Sequence, residues 1–352
     1  MLEEDLDSLA YVSDTAEQVI YDNCAQVFSY GMSSLDWHGT HISKDETELA
    51  EAFSYFNKYV DKKSLKKDFK EIKKKIEEGL HPASKQALIK VGSFMAYTLK
   101  ESLGEEKLQI YYQSGPLAFF SDYIKISKNW PSSRKNYKFP KSFAKLISGW
   151  EKDWTVTYTD YVRNLLLITV NTDFDELGSK LKRTFSGVDL YPDFSRDMER
   201  AGYYHLWKDE IQNSLKIFNL NRELYPNSPL PFSNLAATYI WTGNVEEAQK
   251  LFKKAFALNP DHPRVSLNEF RYLRRHLENA KKLKEIFALA KIFLELYPKN
   301  AELHKEIADI YLEAGQNEKA GIFYKKALEL DPKLEEAKRK LEELGKEKKK
   351  LT

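Results

Sequence analysis

Over most of this chain, apolar residues recur three and four positions apart, the spacing that lays one apolar stripe along a helix. Phe232, Leu235, Ala236 and Tyr239 mark one helix, Gly243 breaks it, and Ala248, Phe252 and Ala255 mark a second that stops before Pro260. The same order returns as His304, Ile307, Ala308, Tyr311, Gly315, Ala320, Tyr324, Ala327 and Pro332. Leu224-Tyr225-Pro226, Leu258-Asn259-Pro260, Leu296-Tyr297-Pro298 and Leu330-Asp331-Pro332 punctuate the region, with prolines 34, 38 and 34 residues apart. Small alanines let two antiparallel helices approach, glycine permits the turn between them, and proline ends the second.

The outer units are less regular. A first, about 195–228, keeps Gly202, Phe218 and Pro226 but has Ser214 and Asn221 in slots for small apolar residues. A third, about 263–300, lacks the turn glycine, and Arg274 and Arg275 are expected to interrupt its first helix. Its four extra residues amount to about one helical turn. After Pro332, Leu334, Ala337, Leu341 and Leu344 form an amphipathic helix suited to cover the open end, followed by a lysine-rich tail.

Residues 1–190 also read as helix. Ser43-Lys44-Asp45-Glu46 reads as a capping box ahead of Leu49, Phe53 and Phe56. Ser64 to Glu78 reads as a basic helix closed by Gly79. Pro82 is expected to open another that runs to Gly104, with two more at about 105–112 and 117–127. Asn129 to Pro140 reads as a loop, and helices resume near Lys141 and Thr159.

Composition narrows the function. Lys+Arg 55 against Asp+Glu 53 excludes wholesale polyanion binding. The lysines between Lys62 and Lys75 alternate with acids, which favours a solvated face over a nucleic-acid site. One cysteine, Cys24, excludes a disulfide framework and reads as a small buried residue. The start, MLEEDLDSLAYVSD, has no signal-peptide pattern, and the stretch at Leu165–Ile168 is far too short to span a membrane. A soluble, cytoplasmic protein is the expectation, provided the chain begins at Met1.

The 34-residue period, with its small, aromatic, glycine and proline slots, resembles the tetratricopeptide repeat family. The resemblance implies an all-α protein: a helical domain over 1–190 with a linker near 186–192, then four repeat units over 195–334 as an α-solenoid. A capping helix and basic tail fill 335–352. It also implies a groove lined by the first helix of each unit, with Tyr203, Trp207, Ile240, Trp241, Arg271, Arg274 and Arg275 as candidate partner-binding residues. Aromatic anchors beside arginines suit a protein or peptide partner carrying acidic groups. Internal pairing of those arginines with the acidic fourth unit, which carries Glu302, Asp309 and Glu313, stays open as the alternative. Glu199, Tyr203 and Asn234 do not reproduce the family's carboxylate clamp.

Lys90 to Tyr123 carries a second pattern: Gly92, Met95-Ala96, Leu99, Gly104, Leu108, Gly115-Pro116, Phe119-Phe120 and Tyr123. It resembles the downstream helical part of a family of zinc-dependent peptidases of the HExxH type. That resemblance implies a third zinc ligand at Glu17 or Asp22. The sequence has no HExxH, and its closest histidine pair, His38 and His41, lacks an adjacent glutamate. No catalytic, cofactor or metal residue is therefore assigned. The leading expectation is a non-catalytic interaction protein. The alternative is a truncated or degenerate metallopeptidase-like chain with a repeat tail.

Overall fold

The computed structural model describes residues 10–36, 45–67, 71, 74–75, 78–79, 86–159 and 168–351. The chain divides into two compact units, Met1–Leu167 with Glu176–Asp193, and Ile168–Asp175 with Phe194–Thr352. His38, His41, Ser43, His81, Pro82 and Leu165–Leu167 lie outside the described residues.

The first unit holds α1 (Thr15–Asp36), α2 (Glu46–Tyr59), α3 (Lys62–Lys67), α4 (Ala87–Leu103), α5 (Glu105–Lys128) and α6 (Lys141–Thr157). Next comes α7 (Phe174–Thr184), which crosses the division between the units. Aromatic packing fills the core of the first unit: Phe53, Phe56, Phe119, Phe120, Tyr123 and Phe143 are almost wholly buried, with Phe139 among them. α1 and α4 cross where two glycines meet. A Cβ on Gly92 would lie 2.2 Å from the Val27 carbonyl oxygen, and one on Gly31 would lie 2.5 Å from that of Gly92. The backbones therefore touch with no room for a side chain.

Three details differ from the sequence reading. The cap of α2 is Asp45 rather than Ser43; its carboxylate accepts from the Thr47 and Glu48 amides at 2.8 and 3.2 Å. The stretch 129–140 contains a 3-10 helix, Ser132–Tyr137. The segment expected as a linker is a strand: β2 (Leu190–Pro192) pairs antiparallel with β1 (Ala10–Val12), and all six residues are buried. Alternating apolar residues too few to register as a strand explain the miss. The break expected between 112 and 117 is real, since Gly115 leaves helical geometry at φ 71° within α5. Lys62 and Lys66 of α3 pair with Asp14, and Lys62 also with Glu17.

The second unit is four helix pairs and a cap. The pairs are α8 (Ser195–Trp207) with α9 (Ile211–Leu224), α10 (Pro229–Trp241) with α11 (Val245–Leu258), α12 (Leu267–Asn279) with α13 (Leu283–Leu296), and α14 (Ala301–Glu313) with α15 (Asn317–Leu330). α16 (Glu335–Leu351) closes the array, with Ala337 buried and Leu341 and Leu344 against Tyr324 and its neighbours. Leu235, Ala236, Ala248, Phe252 and Ala255 are buried as their spacing requires.

Each pair turns on one residue of positive φ: Asp209 at 63°, Gly243 at 79°, Lys281 at 58° and Gly315 at 71°. They stand 34, 38 and 34 residues apart, the intervals of the prolines. The missing glycine of the third unit thus leaves the turn geometry intact and places a lysine in the left-handed region. A side chain there costs about 1–2 kcal/mol that glycine avoids. Lys281→Gly is expected to stabilise the repeats by about 1 kcal/mol, read as a higher urea midpoint by circular dichroism.

Candidate protein-binding surface of the repeats

The four additional residues of the third unit lie between Pro260 and α12. They do not lengthen a helix; they form a 3-10 turn, Pro263–Val265, ahead of the Ser266 cap. That turn carries Arg264 inward to α8, the first helix of the first repeat. The Arg264 guanidinium reaches Glu199 of α8, Nε to Oε1 at 2.7 Å and Nη2 to Oε2 at 3.0 Å. Its Nη1 donates to Glu269 Oε2 of α12 at 3.0 Å, and the Tyr203 hydroxyl donates to Glu269 Oε1 at 3.2 Å. The turn is held in place because Ser233 of α10 donates to the Arg264 carbonyl.

Glu199, Tyr203 and Glu269 are 4, 5 and 2% exposed, so two buried carboxylates meet one partly exposed guanidinium. Burial pushes the Glu269 carboxyl up to about 7 against the opposing pull of Arg264. Burial raises Glu199 too, again against Arg264. Burial lowers the Arg264 value while the two glutamates raise it, and the glutamates win.

Beside this triad the aromatic residues pack on one another. Trp207 lies parallel to His276 at 4.1 Å and near-parallel to Tyr203 at 5.2 Å, and meets Trp241 edge-on at 5.0 Å. Its indole N–H points to the Tyr272 hydroxyl at 3.4 Å. Trp241 is enclosed: its N–H donates to Asp209 at 2.9 Å, and the Lys282 ammonium sits 4.8 Å above the ring while donating to the Trp241 carbonyl. Burial and the charge of Arg275 lower the His276 value, so the ring stacked on Trp207 is neutral near pH 7.

These positions revise the expected groove. Tyr203, Ile240 and Trp241 are buried core residues, and Trp207 is half-buried, so these side chains are already packed against the chain itself. α12 runs uninterrupted through Arg274 and Arg275: Arg275 lies exposed, and Arg274, beside the buried face, has its charge met by Glu278 and Glu313. Arg271 pairs with Glu306 at 2.5 Å, and Arg274 pairs with Glu278 and with Glu313 at 2.9 Å. Internal pairing therefore accounts for two of the three arginines. Arg275 is exposed and makes no ion pair among the described residues. Glu269, Tyr272 and His276 were not singled out from sequence; their one signal was the four-residue excess that places α12 against α8.

In the first unit, Glu17 is buried against Lys62, and Asp22 accepts from Gln18 at 2.8 Å. Cys24 is fully buried, which pushes its thiol well up and away from nucleophilic use. Gly92, Met95, Ala96, Leu99, Leu108, Phe119, Phe120 and Tyr123, which carry the peptidase resemblance, are core residues. Among the described residues, no group of three or more His, Cys, Asp or Glu is placed to hold a metal, and no helix is long and apolar enough to cross a membrane.

Two segments, 229–262 and 301–334, match the family model described as tetratricopeptide repeat. No curated protein sequence matches the chain. Among solved structures, MamA from Desulfovibrio magneticus RS-1 is 18% identical over 45% of this chain and 86% of its own, with a TM-score of 0.26. A thermophilic tetratricopeptide repeat protein of Thermus thermophilus is 17% identical over 49% of this chain and 90% of its own, at 0.26. The APC/C hetero-tetramer Cut9–Hcn1 is 13% identical over 94% of this chain and 64% of its own, at 0.29. The two matched segments coincide with α10–α11 and α14–α15, and the C-terminal half of the chain carries tetratricopeptide repeats.

Proposed function

We propose that the second unit is a non-catalytic protein-binding module that takes an acidic peptide segment of a partner along the exposed stripe of α12. The stripe is Asn268, Arg271 and Arg275, opposite the buried face of that helix. One observation carries the reading: Arg275 is exposed and makes no ion pair among the described residues, one position before the His276 that stacks on Trp207. A guanidinium there can take a carboxylate in a two-pronged hydrogen bond, while the aromatic rim supplies apolar contact. The buried aromatics act by holding α8, α10 and α12 in place.

The test compares partners captured by the full chain, by Arg275→Glu and by Lys325→Glu on the outer helix α15. Arg275→Glu is expected to lose most of the captured set, with stability unchanged to within about 0.5 kcal/mol. Raising salt should weaken parental capture in the same direction. Retention of the same partners by Arg275→Glu would place the contact elsewhere. For residues 1–190, peptidase-like ancestry is a second proposal supported by the Lys90–Tyr123 resemblance alone.

A further inference from the structure

We propose that one exposed face of the first unit binds the phosphate backbone of double-stranded nucleic acid. The face comprises the end of α5, the 3-10 helix Ser132–Tyr137 and the first turns of α6. Between Tyr123 and Trp150 the chain carries seven lysines and arginines and no aspartate or glutamate. The run from Lys62 to Lys75 differs, because acids alternate with its lysines. Two of the seven cations are spent. Lys125 pairs with Asp122 and Glu151, and Lys138 donates to the Lys128 and Trp130 carbonyls. Lys128, Arg134, Lys135, Lys141 and Lys145 are exposed and make no ion pair among the described residues.

Internal bonds fix the segment that presents these five. Phe139 packs among Phe56, Phe120 and Phe143. The Tyr123 hydroxyl donates to the Tyr137 carbonyl at 2.8 Å, and the Asn57 amide donates to the Lys138 carbonyl at 3.0 Å. Lys141 and Lys145 stand one turn apart on the side of α6 opposite the buried Phe143. Acids occur only at the borders of the run. Asp122 and Glu151 hold Lys107 and Lys125. From α2 come Glu46 and Glu51, the latter lining an open depression with Lys135 and Lys138. The five unpaired cations leave the face with a positive excess.

The uncharged residues decide which polyanion fits. Ser132, Ser133, Asn136 and Ser142 are exposed among the cations, and such hydroxyl and amide groups donate to phosphate oxygens. A bilayer calls for an apolar side chain to insert, and among the described residues no large apolar side chain between 125 and 150 is exposed. A single strand calls for free rings on which bases stack. Here the Trp130 ring lies under Arg134 at 5.4 Å and packs edge-on to Tyr123 and Phe94. Tyr137 packs against Phe53 and Phe94. What remains is attraction to the closely spaced phosphates of a duplex, with no reading of bases. The face lies in the first unit and uses no residue of α12, so it stands apart from the peptide-binding surface proposed above.

The test uses the full chain and fluorescent duplexes of DNA and of RNA, with binding followed by anisotropy over a range of salt. Binding to either duplex is expected, with log affinity falling against log salt at a slope of about −4. Lys128→Ala, Lys135→Ala, Lys141→Ala and Lys145→Ala combined should weaken binding about tenfold or more and flatten the slope by about three. The melting point should not move, because all four side chains are exposed. A matched variant, Lys63→Ala, Lys67→Ala, Lys284→Ala and Lys325→Ala combined, removes the same charge elsewhere and should bind within about twofold of the parent. No binding to either duplex overturns the proposal, as does equal loss in the two variants. Tighter binding to a single strand of the same length also overturns it, and so does stronger retention on phosphatidylserine vesicles or poly-glutamate than on duplex. Arg275→Glu should keep duplex binding while losing captured proteins, so the two surfaces fail separately.

Discussion

Gly92→Ala is expected to destabilise the first unit by about 3 kcal/mol, at the upper end of overpacking costs. Two effects of opposite sign compete at this position. Alanine is the better helix former by about 1 kcal/mol, which favours the variant if α4 has space beside it. The crossing removes that space, because the added methyl would sit 2.2 Å from the Val27 carbonyl oxygen. Backbone cannot rotate aside as a side chain can, so α1 and α4 must separate. Separation uncovers Val27, Val91 and Ala96, all fully buried in the parent. Urea unfolding followed by hydrogen exchange should show the loss in α1 and α4 while the repeat amides keep their protection. A rise in stability would mean that the glycine contact is not made in solution.

Trp241→Ala is expected to cost the second unit about 3–5 kcal/mol, the range for emptying a large aromatic site. The indole is 8% exposed, its N–H is bonded to Asp209, and Lys282 covers its face. Truncation leaves the Asp209 carboxylate without that donor and removes an edge-on neighbour of Trp207. Thermal melting separates this structural role from a surface role. A surface anchor would leave the melting point nearly unchanged and abolish capture. A core residue lowers the melting point by many degrees and affects capture only through that loss. Trp207→Ala, at a half-buried ring, should fall between Trp241→Ala and Arg275→Glu.

Much of the second unit was legible because its information is local. Leu235, Ala236, Phe252 and Ala255 announce themselves by spacing within one helix pair, and Pro226, Pro260, Pro298 and Pro332 mark the repeat by counting. The inner face was harder, because it is decided by residues distant in sequence. Trp241 was read as an exposed anchor; Asp209 and Lys282, 32 and 41 residues away, close around it. The four extra residues of the third repeat were read as about one helical turn. Their real form, a 3-10 turn over Pro263–Val265, directs the Arg264 guanidinium toward Glu199. The strand at Leu190–Pro192 escaped notice for a related reason: three residues show no period, and the partner strand lies at Ala10–Val12.

The bond from Glu199 in the first repeat to Arg264 in the third bears on how the array comes apart. Stacked repeats usually touch only adjacent units, so their stability is close to a sum of nearest-neighbour terms and they fray from either end. Here a contact skips over the second repeat, with Trp207 and His276 spanning the same interval. The first repeat cannot peel away without breaking its contacts with the third. Residues 195–296 should therefore open as one cooperative block, and α14 to α16 should form the only end of the array that unzips step by step.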